Sequence, residues 1–316
     1  MEHTASEFLR ALRGTRSQVQ LARALGYRGN PITDWERGER FPTADEALRA
    51  AARVRIDVAG AFEQFAPSVK LRRSGTRLLL GEWLSTLRGD TPVVTLAGRC
   101  HCSRYAVSRW LKGAARPRLP DFFRLLDAIT GRLPEWVASF VPIERVPSLV
   151  PRYQAATAAR RLAFDAPWTE AVLRLLETRA YRQQRRHCPG FIAAALGISS
   201  RDEEVCLQRL VAAGVVERRA SKYAPRAATA VDTQGGKQAL HALKRHWTQV
   251  AAERLQAPAA SDFFAYNVVS LSQDDLQQVH EKLRATFREI RSLVAASRPE
   301  EVAAVINLQV VTFVPP

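Results

Sequence analysis

Long apolar segments are missing from this chain of 316 residues. No apolar run approaches the roughly 18 residues that a helix needs to span a bilayer. The N-terminus also lacks the basic and then apolar order of a secretory signal and enters a helical pattern almost at once. These absences predict a cytoplasmic protein without a membrane partner. The 47% hydrophobic residues are enough for the cores of two to four small domains.

Residue patterns typical of enzymes are missing as well. The sequence has no His-Glu-x-x-His, no Gly-x-Ser-x-Gly and no phosphate-binding loop, and its six histidines are scattered. The dense acidic cluster Asp202-Glu203-Glu204 matches the preference of acidic side chains for the first turn of a helix. The sequence therefore predicts no catalytic residue, no metal and no cofactor, and a DNA-processing enzyme is the least favoured class.

Acidic side chains are scarce relative to basic ones. The 47 lysines and arginines against 31 aspartates and glutamates give a net charge of +16 and a pI of about 10.6. Residues 1–150 carry 24 basic and 15 acidic side chains, residues 151–260 carry 18 and 9, and residues 261–316 carry 5 and 7. A GC-rich genome would explain the preference for arginine over lysine but not this distribution. The excess predicts a polyanionic partner for every part of the chain except the last.

A repeat with an offset of 75 residues runs through the first half of the chain. Aligning residues 9–42 with residues 84–117 without a gap gives ten identities in 34 positions. The identical pairs are Leu9/Leu84, Leu12/Leu87, Arg13/Arg88, Gly14/Gly89, Val19/Val94, Leu21/Leu96, Ala22/Ala97, Trp35/Trp110, Gly38/Gly113 and Pro42/Pro117. Each copy predicts two helices, a tight turn and a third helix that ends at glycine. That is the layout of a helix-turn-helix, in which one helix crosses the DNA backbone and the next lies in the major groove.

Capping signals place the helices of the first copy. The pattern predicts helices over Ser6–Arg13, over Gln18–Leu25 with Ser17 as cap, from Pro31 onward, and after Thr43 with Glu46 at capping-box spacing. Residues 1–65 are thus predicted as one bundle, residues 65–75 as a basic linker and residues 76–141 as a second bundle. A stretch rich in proline between residues 134 and 151 marks the next boundary.

The segment Arg16-Ser-Gln-Val-Gln-Leu-Ala-Arg-Ala-Leu-Gly26, with Ile32-Thr-Asp-Trp-Glu-Arg-Gly38 and Pro42 after it, resembles the Cro and phage-repressor (XRE) type of helix-turn-helix. The resemblance implies that Gln18 holds a DNA phosphate. It also implies that bases are read from the first turn of the third helix and from one turn further on. These positions are Arg28, Gly29, Asn30, Thr33 and Asp34, and Arg37 at the helix end completes the predicted contacts. Gly29 offers no side chain and Asp34 would face anionic DNA, so the first copy is predicted to read bases weakly.

The second copy differs in the opposite direction. The corresponding positions hold Ser103, Arg104, Tyr105, Ser108 and Arg109, with Lys112 beyond, and Val93 replaces the glutamine. Arginine on guanine O6 and N7 is the commonest specific major-groove contact. We therefore predict the second copy to be the main base reader; the alternative is that its arginines only form a solvated face. Two unlike readers in one chain predict a bipartite half-site without internal symmetry.

Cysteine is limited to four residues, whose arrangement does not favour a metal site. Cys100 and Cys102 lie next to a histidine, but the repeat places them where the first copy has the apolar Leu25 and Tyr27. Cys206 falls on the inner face of another predicted helix. We interpret these residues as buried, reduced thiols that act as small hydrophobic side chains, rather than as zinc ligands or a redox switch.

From Trp168 the pattern changes to helix, helix, helix and then a strand with a basic tip, which is the order of a winged helix. The predicted helices cover Thr169–Gln184, Phe191–Leu196 and Asp202–Ala213, and the strand covers Val215–Tyr223. The third helix begins with acids that oppose a phosphate backbone, so it is predicted to be structural. Arg218, Arg219 and Lys222 remain candidates for phosphate contacts from the wing.

The end of the chain predicts a strand, a long helix and a strand. A helix over Gly236–Leu255 is followed by apolar alternation from Phe264 to Val269, a helix over Ser272–Ala296 and a strand over Ala304–Val314. Residues 168–316 are similar to the C-terminal domain of an uncharacterised bacterial regulator family, on the basis of Asp232-Thr233 and Phe313-Val314-Pro315. The similarity implies a domain that dimerises or senses, and it leaves open whether a small-molecule or protein effector binds.

The predicted fold is mainly α. It comprises two tandem helix-turn-helix bundles (1–65 and 76–141), a winged-helix-like domain (152–235) and a small α+β C-terminal domain (236–316). The predicted function is a sequence-specific transcriptional regulator of bacterial type that binds double-stranded DNA in the nucleoid. The alternative is an antitoxin-like or nucleoid-associated protein that binds DNA mainly by charge. Residues 261–316 are predicted to form a homodimer, because an apolar closing strand would leave an exposed edge in a monomer; packing on the 236–255 helix is the alternative.

Overall fold

Helices form most of the described chain, which confirms the predicted mainly α fold class with a small α+β part. The structure is a computed structural model that describes residues 1–67, 69–75, 77–226 and 237–313. Contacts divide the chain into two compact units, Met1–Gln154 and Ala155–Pro316. No helix within the described ranges has both the length and the apolar character needed to cross a membrane.

The first unit contains both copies of the repeat. The first copy forms α1 (Glu2–Arg13), α2 (Gln18–Ala24), α3 (Pro31–Arg37), α4 (Ala44–Arg53) and α5 (Val58–Phe65). A short antiparallel pair follows, with β1 (Arg73–Ser74) at the end of the predicted linker and β2 (Arg77–Leu78) at the start of the second predicted bundle. The second copy forms α6 (Leu80–Arg88), α7 (Val93–Cys100), α8 (Arg104–Leu111), α9 (Leu119–Thr130) and α10 (Leu133–Ala138). Two 3-10 turns, Ile143–Arg145 and Pro147–Leu149, then lead into α11 (Val150–Asp165).

Side-chain caps explain where two of these helices begin. Ser17 Oγ accepts a hydrogen bond from the Gln20 amide at 3.1 Å, and Gln20 Oε1 accepts one from the Ser17 amide at 2.9 Å. Thr43 and Glu46 form the same reciprocal capping box at the start of α4. Both predicted caps are confirmed. Helix α1 begins at Glu2, earlier than predicted, because residues of its first turn are buried in the core.

Equivalent residues of the two copies make equivalent local contacts. Arg13 Nη1 donates to the Arg16 carbonyl at 2.5 Å, and Arg88 Nη1, 75 residues later, donates to the Thr91 carbonyl at 3.1 Å. Gly38 ends α3 with a φ of 80°, and the glycine that follows α8 has a φ of 68°. This left-handed conformation favours glycine. The repeat in the sequence is therefore also a repeat in the structure.

One hydrophobic core serves both copies of the repeat. Buried side chains from α1 to the second 3-10 turn form a continuous cluster. Phe62 of the first copy packs against Trp83, Trp136 and Phe140 of the second, with ring centroids 4.6, 5.9 and 5.9 Å apart. The sequence predicted two separate bundles. The structure differs because each bundle covers its apolar face with aromatic side chains of the other.

The second unit contains the helices and the hairpin that were predicted as a winged helix. Its elements after α11 are α12 (Thr169–Glu177), α13 (Arg179–Gln183), α14 (Phe191–Leu196), α15 (Ser200–Ala212), β3 (Val216–Arg219), β4 (Lys222–Pro225), α16 (Lys237–Leu255) and α17 (Gln273–Ala296). Strands β3 and β4 pair antiparallel along their whole length. The single helix predicted over residues 169–184 is divided at Thr178, whose side chain caps α13 by accepting a hydrogen bond from the Tyr181 amide at 3.4 Å.

The C-terminal strands that the sequence predicted are absent from the described part of the chain. Residues 263–271 and 301–313 have no strand pairing, so the βαβ prediction is wrong here. Alternating apolar residues do not suffice for a strand, since a strand is stabilised by a hydrogen-bonded neighbour. Many of these apolar side chains are exposed, including Phe263, Tyr266 and Phe313. Asp232-Thr233, Gly236 and Val314-Pro315, on which other predictions rest, lie outside the described residues.

Two of the four cysteines are buried in the cores, as predicted. Cys100 and Cys206 are buried, Cys102 is half-buried and Cys188 is exposed. Burial, with the neighbouring Cys100, raises the pKa of Cys102 to about 12, and burial raises the pKa of Cys206 to about 11. A protonated thiol is a poor nucleophile and a poor metal ligand. Within the described ranges, no three His, Cys, Asp or Glu side chains are grouped so that they could hold a metal ion.

Because Phe62 joins the two copies, we expect its replacement to destabilise both at once. Phe62→Ala should lower the free energy of unfolding of the first unit by about 3–5 kcal/mol. Amide exchange should rise together in the helices of the first copy and in those of the second, measured by hydrogen–deuterium exchange mass spectrometry in increasing urea. Val19→Ala, at an exposed position of α2, is the control. Loosening of the first copy alone would contradict a shared core.

Alkylation should distinguish the four thiols. Near neutral pH we expect iodoacetamide to modify Cys188 first because it is exposed. Cys102 and Cys206 should react only after unfolding, since pKa values of about 12 and 11 leave almost no thiolate. Peptide mass spectrometry with and without denaturant measures the order of modification. Rapid modification of Cys102 in the folded protein would show that its surroundings are not those described.

Candidate nucleic-acid interface

The second copy presents an exposed surface at the start of α8. Ser103 caps this helix by accepting a backbone hydrogen bond at 3.1 Å. The Arg104 guanidinium lies 4.8 Å from the centroid of the Tyr105 ring, and its Nη2 donates to the Tyr105 hydroxyl at 2.8 Å. Tyr105 is 68% exposed, so this contact contributes at most about 1 kcal/mol and both side chains remain accessible to a ligand. The opposite side of α8 is fixed, because Val107 and Leu111 are buried.

The remaining predicted residues of the second copy continue this surface. Ser108 is half-buried, and Arg109 and Lys112 are exposed. Spacings of four residues place them on the same side of the helix as the first-turn residues. We call this surface the α8 face; it consists of Ser103, Arg104, Tyr105, Ser108, Arg109 and Lys112. It contains three cations and no acid, so it can donate hydrogen bonds to base edges or phosphates.

Two exposed valines extend the candidate interface beyond the predicted residues. Val19 and Val94 occupy the same position of α2 and α7 and are 47% and 66% exposed. An apolar side chain that is identical and exposed in both copies contributes little to the core. Apolar contact with thymine methyl groups is one use of such a side chain next to DNA. Their identity in the alignment of the two copies was the signal that could have identified them.

The first copy is organised around Glu36, which is buried near the end of α3. The Glu36 carboxylate accepts hydrogen bonds from Arg13 Nε at 2.5 Å and from Gln18 Nε2 at 2.7 Å. Gln18 Oε1 accepts one from the Thr33 hydroxyl at 2.9 Å, and Asn30 Nδ2 donates to the same hydroxyl at 2.8 Å. The hydrogen bond with Glu36 raises the pKa of Arg13. We call these five side chains the Glu36 network.

The Glu36 network changes the role expected of Gln18. The sequence predicted that Gln18 holds a DNA phosphate, whereas both the oxygen and the nitrogen of its amide bond to protein side chains. The nitrogen carries a second hydrogen, which is compatible with a phosphate contact. Gln18 also orients Thr33 and Asn30 at the start of α3. Sequence reasoning missed this role because it identified no partner for Glu36.

The second copy lacks such a network because its central positions are apolar. Val93 stands in the place of Gln18, and the buried Leu111 stands in the place of Glu36. Arg88 accordingly has a buried Nε without a hydrogen-bond partner among the described residues. An acid that is replaced by leucine leaves its former donors unpaired. Apolar packing holds the third helix in both copies, through Ile32 and Trp35 in the first, and the first copy adds the hydrogen bonds of Glu36.

The other predicted residues of the first copy flank α3. Arg28 is exposed in the turn before the helix, and Asn30 is exposed at its N-cap position. Arg37 is exposed at the C-terminal end, where its Nη1 lies 3.9 Å from Glu39 Oε1. An ion pair between such exposed groups contributes at most about 1 kcal/mol. Arg28 and Arg37 are thus held loosely enough to reorient toward a ligand.

The predicted cations of the wing are largely engaged within the second unit. Lys222 Nζ donates to a backbone carbonyl of α13 at 2.7 Å, and Arg219 forms an ion pair with Glu217. Arg218 is exposed, and its guanidinium lies 6.0 Å from the centroid of the Tyr223 ring. Phosphate contact by this wing would require at least two of its three cations to exchange partners. The wing is therefore a weaker candidate than the α8 face.

Of the three clustered acids at the start of α15, the middle one, Glu203, is buried. Glu203 is 1% exposed, and its carboxylate accepts hydrogen bonds from the Gly190 and Ala193 amides at 3.3 and 2.6 Å. It also lies 3.2 Å from Nε2 of His187, whose pKa is lowered by burial. Glu203 therefore caps α14 from a neighbouring helix. The exposed charges of α15 balance, which fits a structural role; they are Arg201, Asp202, Glu204 and Arg209.

The second unit resembles a family without an assigned function. Residues 157–312 match the family described as a domain of unknown function, DUF4423. The match agrees with the predicted similarity of residues 168–316 to an uncharacterised family, and it names no ligand or activity. No curated protein and no solved structure matches the chain.

Proposed function

We propose that the protein is a sequence-specific, DNA-binding transcriptional regulator of bacterial type, with the second copy of the repeat as its main base reader. The observation that carries this proposal is the α8 face, which presents three cations, two hydroxyl groups of serine and an exposed tyrosine on one side of a short helix. The core holds the other side of α8. A rigid helix with arginine on its exposed side meets the requirement for direct readout in the major groove.

The first copy supports the proposal as the module that holds the DNA backbone and reads bases more weakly. Its residues resemble the Cro and phage-repressor type, and the Glu36 network orders Asn30 and Thr33 at the start of α3. Ordered amide and hydroxyl groups position a protein on phosphate and sugar, and an asparagine amide can also bond to a base edge. Asp34 on the same short helix weakens any close approach to anionic DNA.

The alternative function is a nucleoid-associated or antitoxin-like protein that binds DNA mainly by charge. The observation that favours it is the net charge of +16, of which residues 151–260 carry as large an excess as residues 1–150. Binding by counterion release needs only cations near phosphates and gives no preference between sequences. Sequence preference therefore separates the two functions.

We also propose that two chains form a homodimer through α17. No described side chain of this 24-residue helix is fully buried. Leu276, Leu283 and Ile290 recur at intervals of seven residues and are half-buried, as is Val279. This spacing is typical of a coiled-coil seam, which a second copy of the same helix would cover. The exposed apolar residues of 263–271 and 301–313 lie on either side of α17 in the chain and add apolar surface for the same contact.

Replacing the arginines of the α8 face should weaken and relax sequence recognition. Arg104→Ala and Arg109→Ala should each cost about 1 to 3 kcal/mol on the preferred site and relax the base preference at one position. Titrations on the preferred duplex and on single-base variants of it measure both effects. Arg161→Ala, at an exposed position of α11, removes the same charge and should leave base preference unchanged.

Gln18→Ala should weaken binding to all sequences alike, because it removes a phosphate donor and loosens the Glu36 network. Thermal unfolding without DNA measures how much of that loss is a loss of stability.

Unchanged base preference in both Arg104→Ala and Arg109→Ala would contradict the assignment of the second copy as the main base reader.

Charged residues in the α17 seam should separate the two chains. We expect Leu283→Asp with Ile290→Asp to convert a dimer to a monomer in sedimentation velocity, because buried carboxylates without partners are unfavourable. DNA affinity should fall, since two linked DNA-binding units bind more tightly than one. Gln277→Asp, on the exposed side of α17, introduces the same kind of side chain as a control. A dimer that persists in the double variant would place the interface elsewhere.

A further inference from the structure

The two copies of the repeat exchange reciprocal backbone hydrogen bonds. The Ala44 amide donates to the Pro117 carbonyl at 3.0 Å, and the Leu119 amide donates to the Pro42 carbonyl at 2.9 Å. Residues 42 and 117 are equivalent in the repeat, and so are residues 44 and 119. When equivalent atoms bond to each other in both directions, the two copies are related by a two-fold rotation. We call this contact, centred on the antiparallel pair Thr43 and Arg118, the bridge.

Aromatic contacts in the core follow the same two-fold relation. Phe8 of the first copy packs on Phe140 of the second with ring centroids 6.1 Å apart. Trp83, the equivalent of Phe8, packs on Phe65, the equivalent of Phe140, also at 6.1 Å. Each copy thus places the same helix position against the same position of the other. The first unit is a pseudo-dimer within one chain.

The bridge lies close to both third helices. Thr43 lies five positions after Gly38, which follows α3, and Arg118 lies five positions after Gly113, which follows α8. A chain of that length spans at most about 17 Å. The ends of the two helices are therefore no more than roughly 35–40 Å apart. This upper bound is compatible with two major-groove contacts one turn of B-DNA apart.

The segments that join α3 and α8 to the bridge are cationic. They carry five basic side chains, all exposed, against one acidic side chain, Glu39; the basic ones are Arg37, Arg40, Lys112, Arg116 and Arg118. Arg118 Nη1 also donates to the Phe41 carbonyl at 2.8 Å and so ties the two segments together. A DNA duplex in contact with both third helices would meet this charge at the centre of the contact.

We propose that a single chain binds an imperfect inverted repeat in duplex DNA, with the two-fold axis of the first unit on the centre of the site. This inference rests on the proposed function and specifies its ligand. It replaces the expectation of a site without internal symmetry, because the two-fold axis relates the two readers in space. The two arms differ in sequence because equivalent positions differ: Asn30 corresponds to Tyr105, and Asp34 corresponds to Arg109.

The test is selection of binding sites from a random duplex library by the full chain and by two variants. We expect two arms for each bound chain, in inverted orientation and with centres about one helical turn apart. Asn30→Ala and Tyr105→Ala, both at exposed positions, should each relax base preference at least about fivefold at one position of one arm. The two relaxed positions should lie at equal distances from the centre, on opposite strands. Arg161→Ala should relax neither arm.

Each other outcome contradicts the proposal in a different way. Two arms in the same orientation would mean that the copies do not use their two-fold relation on DNA. Relaxation of both arms by Tyr105→Ala alone would mean that two chains, each with one copy, read the site. A selection that enriches no sequence would overturn the proposed function itself, whereas the first two results would leave that function intact.

Discussion

Aromatic packing between the two copies of the repeat is the interaction on which the first unit depends. Phe62 of one copy lies among Trp83, Trp136 and Phe140 of the other, and Phe8 and Trp83 make equivalent contacts across the two-fold axis. Burial of large aromatic side chains provides much of the free energy of folding in a small domain. Each third helix packs on helices of its own copy, α3 on α1 and α8 on α6. Those two supporting helices in turn pack on aromatic side chains of the other copy, through Phe8 and Trp83.

The two copies share this core but differ in the side chains that hold the third helix. The first retains a buried acid, Glu36, and with it a donor from Arg13 and another from Gln18. The second replaces Glu36 by Leu111 and Gln18 by Val93, which leaves Nε of Arg88, the equivalent of Arg13, buried without a partner among the described residues. The second copy has no buried acid at the position of Glu36, but it carries three exposed cations on the α8 face. This difference supports the proposed division into a copy that mainly holds the DNA backbone and a copy that mainly reads bases.

Local features of the fold could be predicted from the sequence, because they depend on residues close together in the chain. The repeat, the Ser17 and Thr43 caps and the burial of Cys100 are of this kind. Features that join distant residues were missed. The cap that Glu203 provides for α14, the Glu36 network and the shared core each need a partner that no periodicity identifies. The C-terminal strands were wrongly predicted for a related reason: alternation is local, but strand pairing is not.

Preference for one DNA sequence over others is the property that separates the proposed regulator from a protein that binds DNA by charge. The decisive measurement is the ratio of the affinity of the full chain for its best selected duplex to its affinity for random duplex at the same salt concentration. A sequence-specific regulator should exceed a ratio of about a thousand. A ratio near one, with affinity that falls steeply as salt rises, would show that the protein binds DNA by charge and would contradict the proposed role of the α8 face.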